Sequence, residues 1–120
     1  MNKIKTYEPD RWVVVEATID DVVEQRIVAG WSGGYLDTER WRISSMIINF
    51  SDNDDHYLFD NESGSRYICY KNRFGFTGLS AVAFFSFNEK QPVNWEITKS
   101  YINDNVTQEL YDAQRDFVGE

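Results

Sequence analysis

Two runs of β-branched and aromatic residues, separated only by Asp20 and Asp21, constrain the fold of this chain more than any other feature. In the run Arg11–Ile19 alternate residues form a fully apolar face, and the run Val22–Trp31 continues the alternation. A period of two with a two-residue break is typical of an antiparallel β-hairpin. The sequence therefore predicts a hairpin over residues 11–31, preceded by a loose polar segment at 1–9.

Further strands are predicted at intervals of about eight to twelve residues, as in an antiparallel meander. They cover residues 41–50, 56–60 and 66–71, with a short strand at 93–98. The turns between them, at 51–55 and 61–65, are rich in Asp, Asn, Ser and Gly. Because residues 41–50 are apolar on both faces, we expect a central strand that is covered on both sides.

Residues 79–87 are apolar nearly all round, so periodicity does not separate a buried helix from a buried strand. Thr77 or Ser80 can serve as the N-cap, and the alanines favour a helix. Pro92 would end this element. We therefore predict a helix here.

A second, amphipathic helix is predicted near the end of the sequence. Its apolar stripe has the spacing i, i+4, i+7 and i+11 and consists of Val106, Leu110, Ala113 and Phe117. With 120 residues the chain can form one domain with a substantial core. The predicted fold is a single α+β domain, with a five- or six-stranded, mainly antiparallel sheet and one or two helices packed on one face.

The net charge of −8 argues against direct binding to nucleic acid, which requires a cationic surface. It also argues against adsorption to an anionic membrane, and no apolar stretch is long enough to span one. The N-terminus lacks the apolar segment of a signal peptide, so we expect a cytoplasmic protein. The single cysteine, Cys69, excludes an internal disulfide and is interpreted as a small buried residue.

No catalytic constellation is visible. His56 is the only histidine, so any nucleophile–histidine pair would have to use it, and a solvated surface position is the simpler interpretation. A run of acids spans residues 52–62, but the calcium-loop pattern is absent and Asp is an ordinary turn residue. We therefore predict no catalytic residue, metal ligand or cofactor, and we expect the protein not to be an enzyme.

The strongest candidate binding residues lie around a pair of glycines, in a segment without a phosphate-loop motif. They are Trp31, Ser32, Gly33, Gly34, Tyr35, Trp41 and Arg42. One interpretation is a glycine turn braced by aromatic core residues. The other is a recognition site rimmed by aromatic rings.

A second candidate surface is acidic. Its carboxylates occur in one turn and on the polar face of the C-terminal predicted helix: Asp52, Asp54, Asp55, Glu109, Asp112 and Asp116. If the two groups adjoin, they form a negative surface suited to a basic partner.

Four spaced motifs follow one another in the chain: W-S-G-G-Y-L at 31–36, W-R-I-S-S at 41–45, Y-L-F at 57–59 and G-S-R-Y-I-C at 64–69. This order resembles small uncharacterised accessory proteins of tailed bacteriophages over about residues 11–72, although Met46 stands where those proteins have glycine. The resemblance implies a phage accessory product in the cytoplasm of a bacterial host, with a helix after the cysteine-containing strand. It implies no activity and no catalytic residue.

Two hypotheses for function follow. The first is a non-enzymatic protein that binds and inhibits or redirects a bacterial host or antiphage-defence protein through its acidic and aromatic surface. The alternative is a small-molecule binding protein or sponge for a nucleotide signal, with aromatic rings to stack on a base. The acidic chain counts against the alternative, unless basic residues reverse the local charge: Arg40, Arg42, Arg66, Lys71 and Arg73.

Overall fold

The structure is a computed structural model, and it describes residues 4–32 and 40–98. The described ranges contain eight strands, one short 3-10 turn at Lys71–Arg73 and one α-helix, α1, at Gly78–Glu89. The strands are β1 (Lys5–Tyr7), β2 (Arg11–Ile19), β3 (Val22–Trp31), β4 (Arg40–Ile43), β5 (Ile47–Asp52), β6 (His56–Asn61), β7 (Ser65–Tyr70) and β8 (Glu96–Ile97).

These strands form two four-stranded sheets. The outer sheet has the order β1-β7-β6-β5 and the inner sheet the order β4-β3-β2-β8. All pairings are antiparallel except that of β1 with β7. The α+β class is confirmed, and the expectation of one five- or six-stranded sheet is wrong.

The single strand predicted at 41–50 is two strands, because the chain passes from the inner to the outer sheet at Ser44. The Ser44 amide donates to the Ile27 carbonyl at 2.8 Å, and the Ser44 hydroxyl accepts from the Ile27 amide at 2.8 Å. At Ser44 the side-chain hydroxyl accepts the hydrogen bond that a backbone carbonyl would accept in a regular ladder, and β4 ends there. The predicted coverage on both sides is also wrong, since β4 and β5 are edge strands with mostly exposed residues.

The hairpin at 11–31 is confirmed, with the β2–β3 register running from Arg11↔Gly30 to Ile19↔Val22. Its two turn residues, Asp20 and Asp21, both have positive φ, at 50° and 66°. The prediction of a loose segment at 1–9 differs from the structure at β1, which pairs in parallel with β7.

The inner sheet is covered on both faces, so the described part of the molecule has two cores. The core between the sheets contains Trp12, Val14, Ile27, Ala29, Tyr57, Phe59, Tyr67 and Cys69. The core between the inner sheet and α1 contains Val13, Val15, Ala17, Val28, Phe84, Phe85, Trp95 and Ile97. Four consecutive residues of β2, residues 12–15, are thus fully buried, alternately in the two cores.

The predicted helix at 79–87 is confirmed as α1. Thr77 is its N-cap: its hydroxyl accepts from the Ser80 amide at 3.0 Å while the Ser80 hydroxyl accepts from the Thr77 amide at 2.9 Å. This reciprocal pair is a capping box. The strand predicted at 93–98 is reduced to β8. The second predicted helix, with the stripe from Val106 to Phe117, lies outside the described residues.

Candidate functional site

A cavity of about 250 Å³ opens where strand β1 of the outer sheet meets the ends of β3 and β4 of the inner sheet. It is lined by Thr6, Tyr7, Glu8, Trp31, Arg40, Trp41 and Arg42. We call it the arginine–aromatic cavity. It contains three of the seven residues that the sequence singled out around the paired glycines.

Strand register decides which side chains share this cavity. Trp31 pairs with Arg40 and Ala29 with Arg42 across β3 and β4. Cross-strand partners lie on one face of a sheet, so both arginines lie on the face that carries Trp31. Trp41, at the position between them, pairs with Gly30 on the opposite face.

Tyr7 and Trp31 form the aromatic wall. Their ring centroids are 6.1 Å apart, and the Trp31 indole N–H donates to the Glu8 carbonyl at 3.0 Å. Behind this wall, Tyr7 stacks on Tyr67 with a centroid separation of 5.0 Å. The hydroxyl of Tyr7 is buried and has no hydrogen-bond partner among the described residues.

Each arginine lies against one ring of the wall. The Arg42 guanidinium carbon is 4.8 Å from the Tyr7 centroid, and that of Arg40 is 5.8 Å from the Trp31 centroid. Within the described ranges neither guanidinium forms an ion pair with a carboxylate. Cation–π contacts of this kind hold a guanidinium in place while its outward N–H groups stay available to an anion.

The described residues that line the cavity carry a charge opposite to that of the whole chain. Among them two arginines oppose one carboxylate, Glu8, whose Oε1 accepts from the Tyr70 hydroxyl at 2.9 Å. Burial raises the pKa of the adjacent Tyr67 to about 12, although a hydrogen bond and the charge of Arg42 act in the other direction. Tyr67 is therefore a neutral phenol at physiological pH and does not neutralise Arg42.

The structure separates the predicted binding residues into three groups. Trp31, Trp41 and Arg42 line the cavity. Ser32 lies beside it, and its amide donates to Asp10 Oδ2 at 2.9 Å. The remaining three, Gly33, Gly34 and Tyr35, lie outside the described residues.

Trp31 and Trp41 differ in burial, which is the property that separates the two interpretations of the aromatics. Trp31 is half-buried and packs against the core between the sheets, as a bracing residue would. Trp41 is 46% exposed on the open edge of the inner sheet, as a recognition residue would be. The sequence missed Thr6, Tyr7 and Glu8, because a three-residue parallel strand leaves no periodic signal.

The acidic candidate surface is only partly described, since Glu109, Asp112 and Asp116 lie outside the described residues. In the turn, Asp52 accepts from Lys71 Nζ at 2.6 Å, and Asp55 pairs with His56 Nδ1 at 2.6 Å. The hydrogen bond from His56 lowers the pKa of the Asp55 carboxyl. Asp54 is exposed. Two of the three described carboxylates thus already have cationic or hydrogen-bonding partners.

A second cavity, of about 320 Å³, adjoins this turn and is lined by Asp55, Tyr70, Lys71, Asn72 and Arg73. Its cations are engaged with carboxylates: Lys71 with Asp52, and Arg73 Nη1 with Asp10 at 3.9 Å. The charge here is balanced, unlike that of the arginine–aromatic cavity.

Among the described residues, no three His, Cys, Asp or Glu side chains are grouped so that they could hold a metal ion. No helix within the described ranges is long and apolar enough to cross a membrane. Cys69 is fully buried, as predicted, and burial raises the pKa of its thiol well above the usual range.

Comparison with known proteins gives no relative: no protein-family model matches the chain, and no curated protein or solved structure is significantly similar to it.

Proposed function

We propose that this protein is a non-enzymatic binding protein that captures a nucleotide in the arginine–aromatic cavity. The observation that carries the proposal is the presence of two guanidinium groups, Arg40 and Arg42, in one cavity without a carboxylate partner in the described structure. Arginine recognises phosphate oxygens through paired hydrogen bonds. A nucleobase stacks on aromatic rings and on guanidinium planes.

The size of the cavity limits the ligand. A volume of about 250 Å³ lies slightly below the range of roughly 300–1,000 Å³ that is typical of small-molecule sites. We therefore expect a single base and its phosphate at this cavity, with the rest of a larger nucleotide outside it. Because both arginines are exposed, the phosphate would lie at the mouth.

The test is the melting temperature of the protein in the presence of a panel of nucleoside monophosphates and cyclic nucleotides. A ligand at 100 times its Kd adds about 2.7 kcal/mol to stability, which raises the melting temperature by several degrees. R40Q and R42Q should lose the shift, whereas R66Q should keep it, since Arg66 is a half-buried arginine outside the cavity lining and is paired with Asp60 on β6. No shift with any nucleotide would reject the proposal.

Tryptophan fluorescence gives a second readout that locates the ligand. Trp31 and Trp41 both line the cavity, but only Trp31 lies on the sheet face that carries the two arginines, so a base bound beside the arginines should quench Trp31 more strongly than Trp41. W41F should retain the quenching and W31F should lose most of it. Quenching that disappears in W41F instead would place the ligand on the other face.

A second candidate function is capture of a bacterial host or antiphage-defence protein by a phage accessory protein, as the motif order implies. The exposed Trp41 on the open edge of β4 supports it, because tryptophan is enriched at the centres of protein interfaces. The pairing of Asp52 and Asp55 argues against acids as the main contact. In affinity capture from bacterial lysate, W41A should release such a partner while R42Q retains it. The reverse pattern would point to the arginine–aromatic cavity.

A further inference from the structure

A third cation lies beside the arginine–aromatic cavity, on strand β1. In the parallel ladder of β1 and β7, Lys5 pairs with Ser65 and Tyr7 with Tyr67. Residues two positions apart share one face of a strand, so Lys5 lies on the face that carries Tyr7. Its Nζ is 5.9 Å from the Tyr7 ring centroid. Lys5 is exposed and forms no ion pair with a carboxylate of the described residues.

Lys5 and Arg42 approach the same ring. The Arg42 guanidinium carbon is 4.8 Å from the Tyr7 centroid, and Arg40 lies against the neighbouring ring of Trp31. Three cations therefore accompany the aromatic wall, two at Tyr7 and one at Trp31. Positive charges held together in this way repel one another, and an anion bound among them removes the repulsion.

The carboxylate of Glu8 does not supply this anion. Tyr67 and Cys69 lie in the core between the sheets, so Tyr70, one position further along β7, belongs to the opposite face of the outer sheet. The Tyr70 hydroxyl donates to Glu8 Oε1 at 2.9 Å. The Glu8 carboxylate is therefore held at the outer face of that sheet, on the side away from the three cations.

We infer that the site takes a nucleoside diphosphate and that Lys5 binds its second phosphate. This inference rests on the proposed function and makes it more specific. A phosphate monoester carries a charge of about −1.5 to −2 at pH 7, which is less than the combined charge of Lys5, Arg40 and Arg42. A second phosphate brings the charge of the ligand close to that of the cations. Lysine binds phosphate as a point charge, without the paired geometry of arginine, which suits an exposed side chain at the edge of the cavity.

The test compares the dissociation constants of nucleoside monophosphates with those of the corresponding diphosphates, AMP with ADP and GMP with GDP. Titration calorimetry without divalent cations measures them. Each diphosphate should bind about tenfold more tightly than its monophosphate, because a hydrogen bond to a charged group contributes at least that factor. K5Q should lose this preference while the affinity for the monophosphate changes by less than about twofold. K5R keeps the positive charge and should retain the preference.

K90Q is the matched control, since Lys90 is an exposed lysine at the end of α1 and outside the cavity lining. This variant should keep the preference for the diphosphate. Equal affinity of the wild type for the two nucleotides would overturn the inference and leave the proposed function intact. Equal losses of both affinities in K5Q would also overturn it, because Lys5 would then act on the first phosphate.

Inorganic pyrophosphate separates this inference from the proposed function. Pyrophosphate should raise the melting temperature of the wild type more than inorganic phosphate does at the same ionic strength, and K5Q should remove the difference. If that difference depends on Lys5 in a protein that no nucleotide stabilises, the nucleotide proposal fails and the site for two linked phosphates stands. Equal effects of pyrophosphate and phosphate would reject this site.

Discussion

A Cβ atom placed on Gly30 would lie 2.6 Å from Oγ1 of Thr77, so strand β3 and the N-cap of α1 meet at a distance that only glycine permits. Ser80 Oγ, the other half of the capping box, would be 2.9 Å away. We expect Gly30→Ala to destabilise the protein by about 2–4 kcal/mol, because it combines overpacking with a disturbed cap. Urea denaturation measures the loss.

The double variant G30A/T77A separates these two causes. T77A alone should cost about 1 kcal/mol, the usual contribution of an N-cap. Because it also removes the atoms closest to the new methyl group, the double variant should be more stable than the sum of the single effects predicts. Strict additivity would show that the methyl group is accommodated without contact with Thr77.

The hairpin turn offers a stabilising change. Asp20 and Asp21 both adopt left-handed backbone angles, which cost a non-glycine residue roughly 1–2 kcal/mol. Asp21→Gly should raise the free energy of unfolding by about 0.5–1 kcal/mol, since Asp-Gly suits a type I′ turn. Asp21→Ala is the control and should lower it. A D21G variant no more stable than the parent would show that the aspartate side chains compensate for the strain.

At the open edge of the outer sheet, we predict that substitution has different effects on stability at the adjacent positions Ile47 and Ile48. Ile48 is 60% exposed on β5, while Ile47 packs against the core between the sheets. Ile48→Lys should change stability by less than about 0.5 kcal/mol and reduce self-association at high concentration, as charges on edge strands do. Ile47→Lys should cost more than about 1 kcal/mol. Light scattering and urea denaturation measure the two effects, and equal costs at both positions would contradict this arrangement.

Stability should fall under alkaline conditions. Burial raises the pKa of Tyr67 from 10.0 to about 12 and that of Cys69 well above 9.0. The folded protein therefore keeps protons that the unfolded chain releases, and rising pH favours the unfolded state. Tyr67 and Cys69 leave the free energy of unfolding unchanged below about pH 9 and lower it progressively above that pH.

Urea denaturation between about pH 8 and about pH 11 tests this dependence. Y67F should show a shallower fall in the free energy of unfolding with pH than the wild type, above the ordinary pKa of tyrosine. Parallel curves for Y67F and the wild type would mean that Tyr67 has the same pKa in the folded and the unfolded state.

The elements predicted correctly are those whose pattern is local. The β2–β3 hairpin follows from alternation and a two-residue break, and α1 from apolar composition with Thr77 as a cap. The hairpin encodes its own periodicity and the helix its own cap, so neither requires knowledge of the rest of the fold. The same holds for β6 and β7, which differ from their predicted bounds by one residue.

The errors arise where distant contacts decide the structure. Ser44 divides the predicted strand at 41–50 because it bonds to Ile27, far away in the sequence. Strand β1 exists because β7 offers an edge to pair with. The two faces of residues 12–15 are both apolar in the sequence, yet nothing local shows that they belong to separate cores.

The candidate site was predicted in part for the same reasons. Trp31 and Arg42 stood out by composition, and the ladder between β3 and β4 brings them together. Tyr7 and Glu8 reach the site only through the parallel pairing of β1. Strand alternation also places Trp41 on the opposite face from the arginines, a distinction that depends on the β4 register.

The four buried residues of β2 have a consequence for how the molecule unfolds. Trp12 and Val14 belong to one core and Val13 and Val15 to the other, so neither core can lose its packing without exposing the strand that the other core requires. We therefore expect the two layers on either side of β2 to unfold in one cooperative transition. The amides of β2 should accordingly be among the last to exchange, at the rate of global unfolding.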